Sequence, residues 1–105
     1  MERGDVWWAD LPEPLGRRPV VLVSRDEAYG VRRSVAVIEV TTVVRGLATE
    51  VKLGPRDGMP RRCVANADGI HTVLIRRLTT KVCRLKAERL SQIDDALRFA
   101  LALGT

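Results

Sequence analysis

The sequence has 105 residues and a formal net charge of +5. That length corresponds to one domain, residues 1–105, and leaves no room for a second, while the positive charge favours a polyanionic partner such as nucleic acid or an acidic protein. No apolar run approaches the roughly 20 residues of a membrane-spanning helix, and the N-terminal residues MERGD lack the apolar core of a signal peptide, so we expect a cytoplasmic protein without a membrane partner.

Short apolar runs rich in β-branched residues predict strands over most of the chain. Turns between them are marked by glycine and proline, and Thr72 to Arg77 is an ambiguous connector. Five to seven short strands at this spacing indicate a small antiparallel barrel or curled sheet. The predicted strands are Gly4 to Leu11, Pro19 to Ser24, Ser34 to Thr42, Ala48 to Leu53, Arg62 to Ala67 and Leu78 to Leu85.

The C-terminal segment changes to a helical period. Apolar residues recur there at three- and four-residue steps, which predicts one apolar helix face made of Leu90, Ile93, Leu97, Ala100 and Leu101. We expect the helix to begin near Ala87 and to end before Gly104.

Two loops combine residues that suit chemistry at a phosphate. The first, Leu11 to Arg18, carries a carboxylate and two arginines, and the second, Thr42 to Ala48, begins where the third predicted strand ends. In a curled sheet the turns after the first and third strands point the same way. Arg18 and Thr41 are therefore expected to converge at one rim.

The usual catalytic motifs are absent from the sequence, which has no glycine-rich phosphate loop followed by lysine and no serine nucleophile elbow. His71 alone cannot build a histidine-rich metal site, and Cys63 and Cys83 lack metal-type spacing, so we expect no metal and no cofactor; a carboxylate-held metal is left open, although no acidic cluster suggests one. Any enzyme chemistry must then use arginine, threonine and a carboxylate. Phosphoryl transfer can proceed in this way, because positioning and charge stabilisation supply most of the acceleration.

Four segments in order resemble the MazF/PemK toxins, which are ribosome-independent endoribonucleases of toxin–antitoxin pairs. The segments are RGDVWWADL, GRRPVVLVSRD, VIEVTT and the C-terminal DDALRFALAL. The resemblance covers nearly the whole chain, and the Arg-Pro junction followed by an apolar strand and Ser-Arg-Asp is its most specific part. It implies a mainly β domain, an SH3-like barrel with a C-terminal helix, used as a homodimer.

The resemblance also implies a catalytic pair, an arginine directly before the proline and a threonine that ends the third strand. By motif these are Arg18 and Thr41, with Arg17 and Thr42 as their immediate neighbours. Glu13 matches a glutamate that some members of the family use in this loop, although the loop here is shorter than in many relatives.

The implied reaction is attack of an RNA 2′-hydroxyl on the adjacent phosphorus, which leaves a 2′,3′-cyclic phosphate and a 5′-hydroxyl. Arg18 would present a fork of donors to the phosphate oxygens, and Thr41 would donate to or orient the same group. Because the pKa of arginine is about 12 or higher, Arg18 is a poor general base, and we hypothesise that it stabilises charge and protonates the leaving oxygen. Which group is the general base is left open.

RNA binding is expected to use basic loops and two polar residues of the VANADGIHTV segment. Arginines supply phosphate contacts, whereas amide and carboxylate groups read exposed base edges. Trp7 and Trp8 point to opposite faces of a strand, so one belongs to the core and the other to a surface, an interface or a stacked base. The RNA-binding candidates are Arg17, Arg25, Thr42, Arg45, Arg61, Arg62, Asn66 and Asp68.

Two other functions use the same fold. One is a non-catalytic toxin that binds DNA gyrase, which the arginine–threonine pair and the Leu-Ala-Leu-Gly-Thr terminus disfavour; the other is an RNA-binding module without cleavage. The expected partners are single-stranded RNA, a second copy of the chain and an acidic, partly disordered antitoxin of the MazE type that folds across the RNA groove.

Overall fold

Six antiparallel strands form one curled sheet in the computed structural model, which describes residues 1–104. The spatial order is β4-β5-β3-β2-β1-β6, so that β4 and β6 are the two edges. A short helix joins β2 to β3, and a longer helix follows β6. The strands are β1 (Asp5–Asp10), β2 (Arg17–Leu22), β3 (Ser34–Thr41), β4 (Glu50–Leu53), β5 (Cys63–Leu74) and β6 (Leu78–Arg84), and the helices are α1 (Ala28–Val31) and α2 (Ala87–Ala100).

The sheet is apolar on both faces, which explains the unbroken apolar run in β2. Val21 belongs to one core cluster, whereas Val20 and Leu22 belong to the other, and all three are fully buried. Because successive strand residues point to opposite faces, a strand covered on both sides needs no polar alternation. The expected mainly β domain, a curled half-barrel with a C-terminal helix, is confirmed.

Helix α2 covers one face of the sheet through Ile93 and Ala96, which are 0% and 5% exposed. Leu90 and Leu97 pack beside them, as the helical period predicts. The expectation for Leu101 is wrong, because this residue lies beyond the helix and remains 52% exposed. Neither helix in residues 1–104 is long and apolar enough to cross a membrane.

Strand β5 is longer than predicted, so the predicted strand end at Ala67 and the predicted connector from Thr72 are wrong. The strand continues to Leu74, and the residues taken as a connector are its last three residues followed by a 3-10 turn, Ile75–Arg77. Asp68 and Gly69 lie in a bulge within this strand. Pairing with β3 stops at Asn66 and resumes at Ile70, so residues 67–69 have no partner on that strand.

The two cysteines are packing residues. Cys63 is buried and Cys83 is half-buried, with its Sγ 3.6 Å from Sδ of Met59. Burial raises the pKa of both thiols, which keeps them protonated and poorly nucleophilic at neutral pH.

Candidate active site

The loop between β1 and β2 holds the Arg18 side chain through a backbone carbonyl. The N–H of Leu11 donates to the carbonyl of Gly16 at 3.0 Å, and Gly16 has a φ of +63°, which a residue with a side chain rarely adopts. Within this closed loop, Nε of Arg18 donates to the carbonyl of Leu15 at 3.1 Å. Among residues 1–104 no carboxylate pairs with Arg18, so the terminal guanidinium nitrogens keep their charge available.

The register between β2 and β3, extended past its last pair, points Arg18 and Thr41 to the same face of the sheet. The ladder pairs Leu22 with Val37 and ends with Val20 opposite Glu39. Two more residues in the same register place Arg18 opposite Thr41, and residues opposite each other on antiparallel strands share a face. Both side chains are half-buried, which leaves a donor and a hydroxyl accessible at one end of the sheet.

Thr41 also begins the loop to β4. Its Oγ1 accepts the N–H of Val43 at 3.2 Å, while Thr42 is exposed. Farther along, Glu50 accepts the N–H groups of Arg45, Gly46 and Leu47 at 2.8–3.2 Å. Desolvation acts to raise the pKa of this carboxyl, but the three N–H groups and the Arg45 charge lower it below its ordinary value. The loop that carries Arg45 is therefore held by a carboxylate.

A cavity of about 360 Å³ adjoins Thr41 on the other face of the sheet end. The guanidinium carbon of Arg17 lies 4.5 Å from the ring centroid of Trp8, which lines this cavity. Trp7 packs against the opposite core cluster, so the two tryptophans divide as their alternation predicts. The other walls include Pro19, Thr42, Met59, Pro60 and Arg61. An aromatic ring and a cation thus lie beside the end of β3.

The structure separates the remaining basic candidates. Arg61 borders the cavity beside Thr41, whereas Arg62 lines a different cavity of about 580 Å³ with Arg56 and Arg89. Arg25 lies beyond the far end of β2 from Arg18 and is not brought together with it. Of these three arginines, only Arg61 therefore lies beside Thr41.

Glu13 remains in the exposed part of the first loop. A methyl group added at Gly16 would lie 3.5 Å from its Oε1, so the carboxylate turns back over its own loop. Asn66 and Asp68 lie at the β5 bulge, where Oδ1 of Asn66 accepts the N–H of Asp68 at 3.0 Å. Asn66 on β5 is opposite Glu39 on β3, and Glu39 is two positions from Thr41.

Sequence reasoning missed a contact between a histidine and a glutamate on the face to which Arg18 and Thr41 point. Nε2 of His71 lies 2.7 Å from Oε2 of Glu39, and the two side chains are 29% and 19% exposed. Glu39 stands within an apolar strand, directly opposite the fully buried Val20. The sequence did contain a signal for this contact. Glu39 is the single carboxylate in the run VIEVTT, and alternation along the strand points it to the same face as Thr41. No group of three or more potential metal-ligating side chains occurs in the described part of the chain.

Comparison with known proteins gives consistent relationships over almost the full length. Residues 2–101 match the family described as PemK-like, MazF-like toxin of type II toxin–antitoxin system. A probable endoribonuclease MazF5 of Mycobacterium tuberculosis is 43% identical over 100 residues, covering 94% of this chain and 91% of the relative. Endoribonuclease EndoA of Bacillus subtilis is 32% identical over 111 residues, covering 98% of this chain and 96% of the relative.

Solved structures agree with this fold. The Mycobacterium tuberculosis toxin MazF-mt6 superposes with a TM-score of 0.89 at 28% identity, covering 96% of this chain and 99% of that one. A mycobacterial endoribonuclease, solved in complex with its cognate antitoxin, has a TM-score of 0.89 at 30% identity and covers 100% of this chain and 98% of that one.

Proposed function

Because the chain belongs to the family of PemK-like, MazF-like toxins of type II toxin–antitoxin systems, we propose that it is a toxin endoribonuclease whose cleavage depends on Arg18 and Thr41. The observation that supports the residue assignment is the β2–β3 register, which ends at Val20 and Glu39 and, extended by two residues, sets Arg18 opposite Thr41. The family relationship supports the activity, and the register supports the placement of the chemistry.

The cleavage begins when the 2′-hydroxyl of one nucleotide attacks the phosphorus that joins it to the next. Arg18 is anchored through Nε to the Leu15 carbonyl, so its terminal nitrogens can present two parallel donors to the phosphate oxygens. These donors stabilise the charge that develops on the phosphorane, and the Thr41 hydroxyl adds one more. The products are a 2′,3′-cyclic phosphate and a 5′-hydroxyl, and no step requires a metal ion.

Single-stranded RNA is the substrate that fits the surface. Unpaired nucleotides can turn their bases outward and stack on aromatic and guanidinium planes, whereas paired bases in a helix are hidden. Trp8 with Arg17 offers such a surface beside Thr41, and Arg61 adds charge at the same cavity. Asn66 and Asp68 at the bulge provide groups that can hydrogen-bond base edges.

Two protein partners complete the proposal, which places the enzyme in the cytoplasm beside its RNA. One is a second copy of the chain, with RNA lying along the groove between subunits. The other is an acidic antitoxin that folds across that groove and competes with RNA, an arrangement that suits a net charge of +5. The relative solved with its cognate antitoxin supports the second partner.

The test is cleavage of a long, weakly structured RNA by the purified protein in excess EDTA. We expect discrete fragments that end in cyclic phosphate from the wild type, and a loss of at least about 100-fold in rate for Arg18→Ala, since removing one donor to a transition-state oxyanion costs that much. Arg98→Ala, an exposed arginine on α2 paired with Asp95, is the matched control and should cut like the wild type. Intact RNA from folded wild-type protein would instead favour gyrase binding or RNA binding without cleavage.

A further inference from the structure

A carboxylate is held on the reactive face by two independent features. Oε2 of Glu39 lies 2.7 Å from Nε2 of His71, and the backbone of Gly69 passes directly beneath the same side chain. A methyl group added at Gly69 would lie only 2.5 Å from Cγ and 3.0 Å from Oε1 of Glu39. Any side chain at position 69 would therefore displace this carboxylate.

The position of this carboxylate carries a desolvation cost. Glu39 is 19% exposed and shares its face with two fully buried residues, Val37 on the same strand and Val20 directly opposite. Charged groups removed from water destabilise the fold unless they are paired and hydrogen-bonded, and replacing such a pair by apolar residues is often neutral or stabilising. Packing alone gives no reason for a carboxylate here, so its chemistry has to be considered.

Glu39 lies on the same strand and face as Thr41, beside the proposed reaction centre. It is two residues from Thr41 on the same strand and face, a separation of about 7 Å along the strand. In the extended register, Arg18 is diagonal to it on the neighbouring strand. A phosphate held between Arg18 and Thr41 would bring the 2′-oxygen of the preceding nucleotide toward Glu39. The contact with His71 holds the carboxylate on the side of the neighbouring strand β5, on the face that Glu39 shares with Thr41.

We propose that Glu39 is the catalytic proton acceptor for the 2′-hydroxyl and that His71 is its positioning residue. This inference rests on the proposed function. Because Oε2 is occupied by His71, Oε1 takes the proton as the bond between the 2′-oxygen and phosphorus forms. The bond between phosphorus and the 5′-oxygen then breaks, the leaving oxygen takes a proton from Arg18, which regains one from water, and Glu39 returns its own proton to solvent.

The other candidates for this role are less suitably placed. A guanidinium is a poor proton acceptor, which argues against Arg18. Glu13 is exposed and folded over Gly16 in the first loop, and Asp68 is exposed within the bulge. Glu39 alone combines a strand position beside Thr41 with a hydrogen bond that fixes its orientation.

The test compares Glu39→Gln with the wild type on RNA and on a 2′-deoxy analogue that binds but cannot be cut. The amide keeps the shape of the side chain and a hydrogen bond to His71 but accepts no proton. We expect kcat to fall by about 100-fold or more, the usual contribution of a general base, with unchanged KM, analogue binding and melting temperature. Asp95→Asn, the same chemical change at an exposed site on α2, should leave kcat unchanged.

Chemical rescue separates catalysis from structure. Glu39→Ala should be as slow as the glutamine variant, and added formate should restore its rate in a saturable way, whereas formate should not restore Arg18→Ala. For the positioning residue, His71→Ala should lose about 10-fold in kcat and His71→Gln, which keeps an N–H donor, should recover most of it. A Glu39→Gln enzyme within about threefold of the wild-type kcat, or a defect confined to KM, overturns the inference while the proposed function stands. Wild-type protein that never cuts RNA would contradict both the proposed function and the role of Glu39.

Discussion

Substitution of Gly69 by alanine tests the geometry around Glu39 without touching a polar group. The new methyl would lie 2.5 Å from Cγ of Glu39, whereas ordinary contacts are 3.4–4 Å, so the side chain must retreat by about 1 Å. That movement breaks the 2.7 Å contact with His71. The lost hydrogen bond, partly screened by solvent, contributes about 1 kcal/mol, and alanine returns about 0.4–1 kcal/mol by restricting the unfolded chain.

Stability and activity should therefore separate in Gly69→Ala. The two energetic contributions nearly cancel, so the melting temperature should change by no more than about 5 °C, whereas RNA cleavage should fall at least about 10-fold because the carboxylate is displaced. The chain has one histidine, so imidazole resonances in an NMR spectrum report on His71 alone and should shift in the variant. Gly30→Ala is the matched control, since nothing lies within 4 Å of the added methyl and α1 accommodates alanine.

The reasoning about Glu39 is refuted if Gly69→Ala cuts RNA as fast as Gly30→Ala and leaves the His71 resonances unchanged. A large loss of stability together with activity would show instead that the backbone at the bulge cannot accept a side chain.

Three further predictions concern the core, a buried phenol and the RNA surface. Ile93→Ala removes a fully buried side chain that joins α2 to the sheet. Denaturant titration should show a free energy of unfolding lower by about 2–5 kcal/mol. A loss below about 1 kcal/mol would show that α2 is not part of the cooperative core. Burial raises the pKa of Tyr29, the single tyrosine, to about 12 from an ordinary 10.0, so its absorbance titration should have its midpoint there. Because the unfolded phenol releases its proton first, stability should fall as pH rises from about 10 to about 12, and a midpoint near 10 would contradict the buried placement. Arg17→Ala removes the cation above Trp8 and should reduce the slope of log affinity against log salt for single-stranded RNA by about 0.7, whereas Arg98→Ala should leave that slope unchanged. An unaltered slope for Arg17→Ala would remove Arg17 from the phosphate contacts.

Local sequence patterns were sufficient where burial follows a simple period. The continuous apolar run of β2 indicated a strand covered on both faces, and the spacing of Leu90, Ile93 and Leu97 indicated the helix that packs on the sheet. These patterns work because the period of side-chain direction is set by the backbone alone. The same limitation explains the error in β5, since whether Asp68 and Gly69 end a strand or form a bulge depends on the partner strand.

The site was less accessible to sequence reasoning because its contacts join distant residues. Glu39 and His71 are 32 positions apart, and no local pattern relates them. The stacking of Arg17 on Trp8 likewise depends on the β1–β2 register, which pairs Trp8 with Pro19 and Asp10 with Arg17. Motif resemblance suggested Arg18 and Thr41, but a carboxylate that acts beside them is visible only once the strands are aligned.

The placement of the proposed chemistry on strands links the core to catalysis. Arg18, Glu39 and Thr41 keep their mutual positions only while β2 and β3 hold one register, and that register is set by the fully buried Val20 and Val21. A slip of one residue would turn every side chain of the strand to the opposite face. Loops can vary in length and charge, and so alter which RNA is bound, without moving these three groups. A core substitution that loosens the β2–β3 ladder should therefore reduce cleavage before it unfolds the protein.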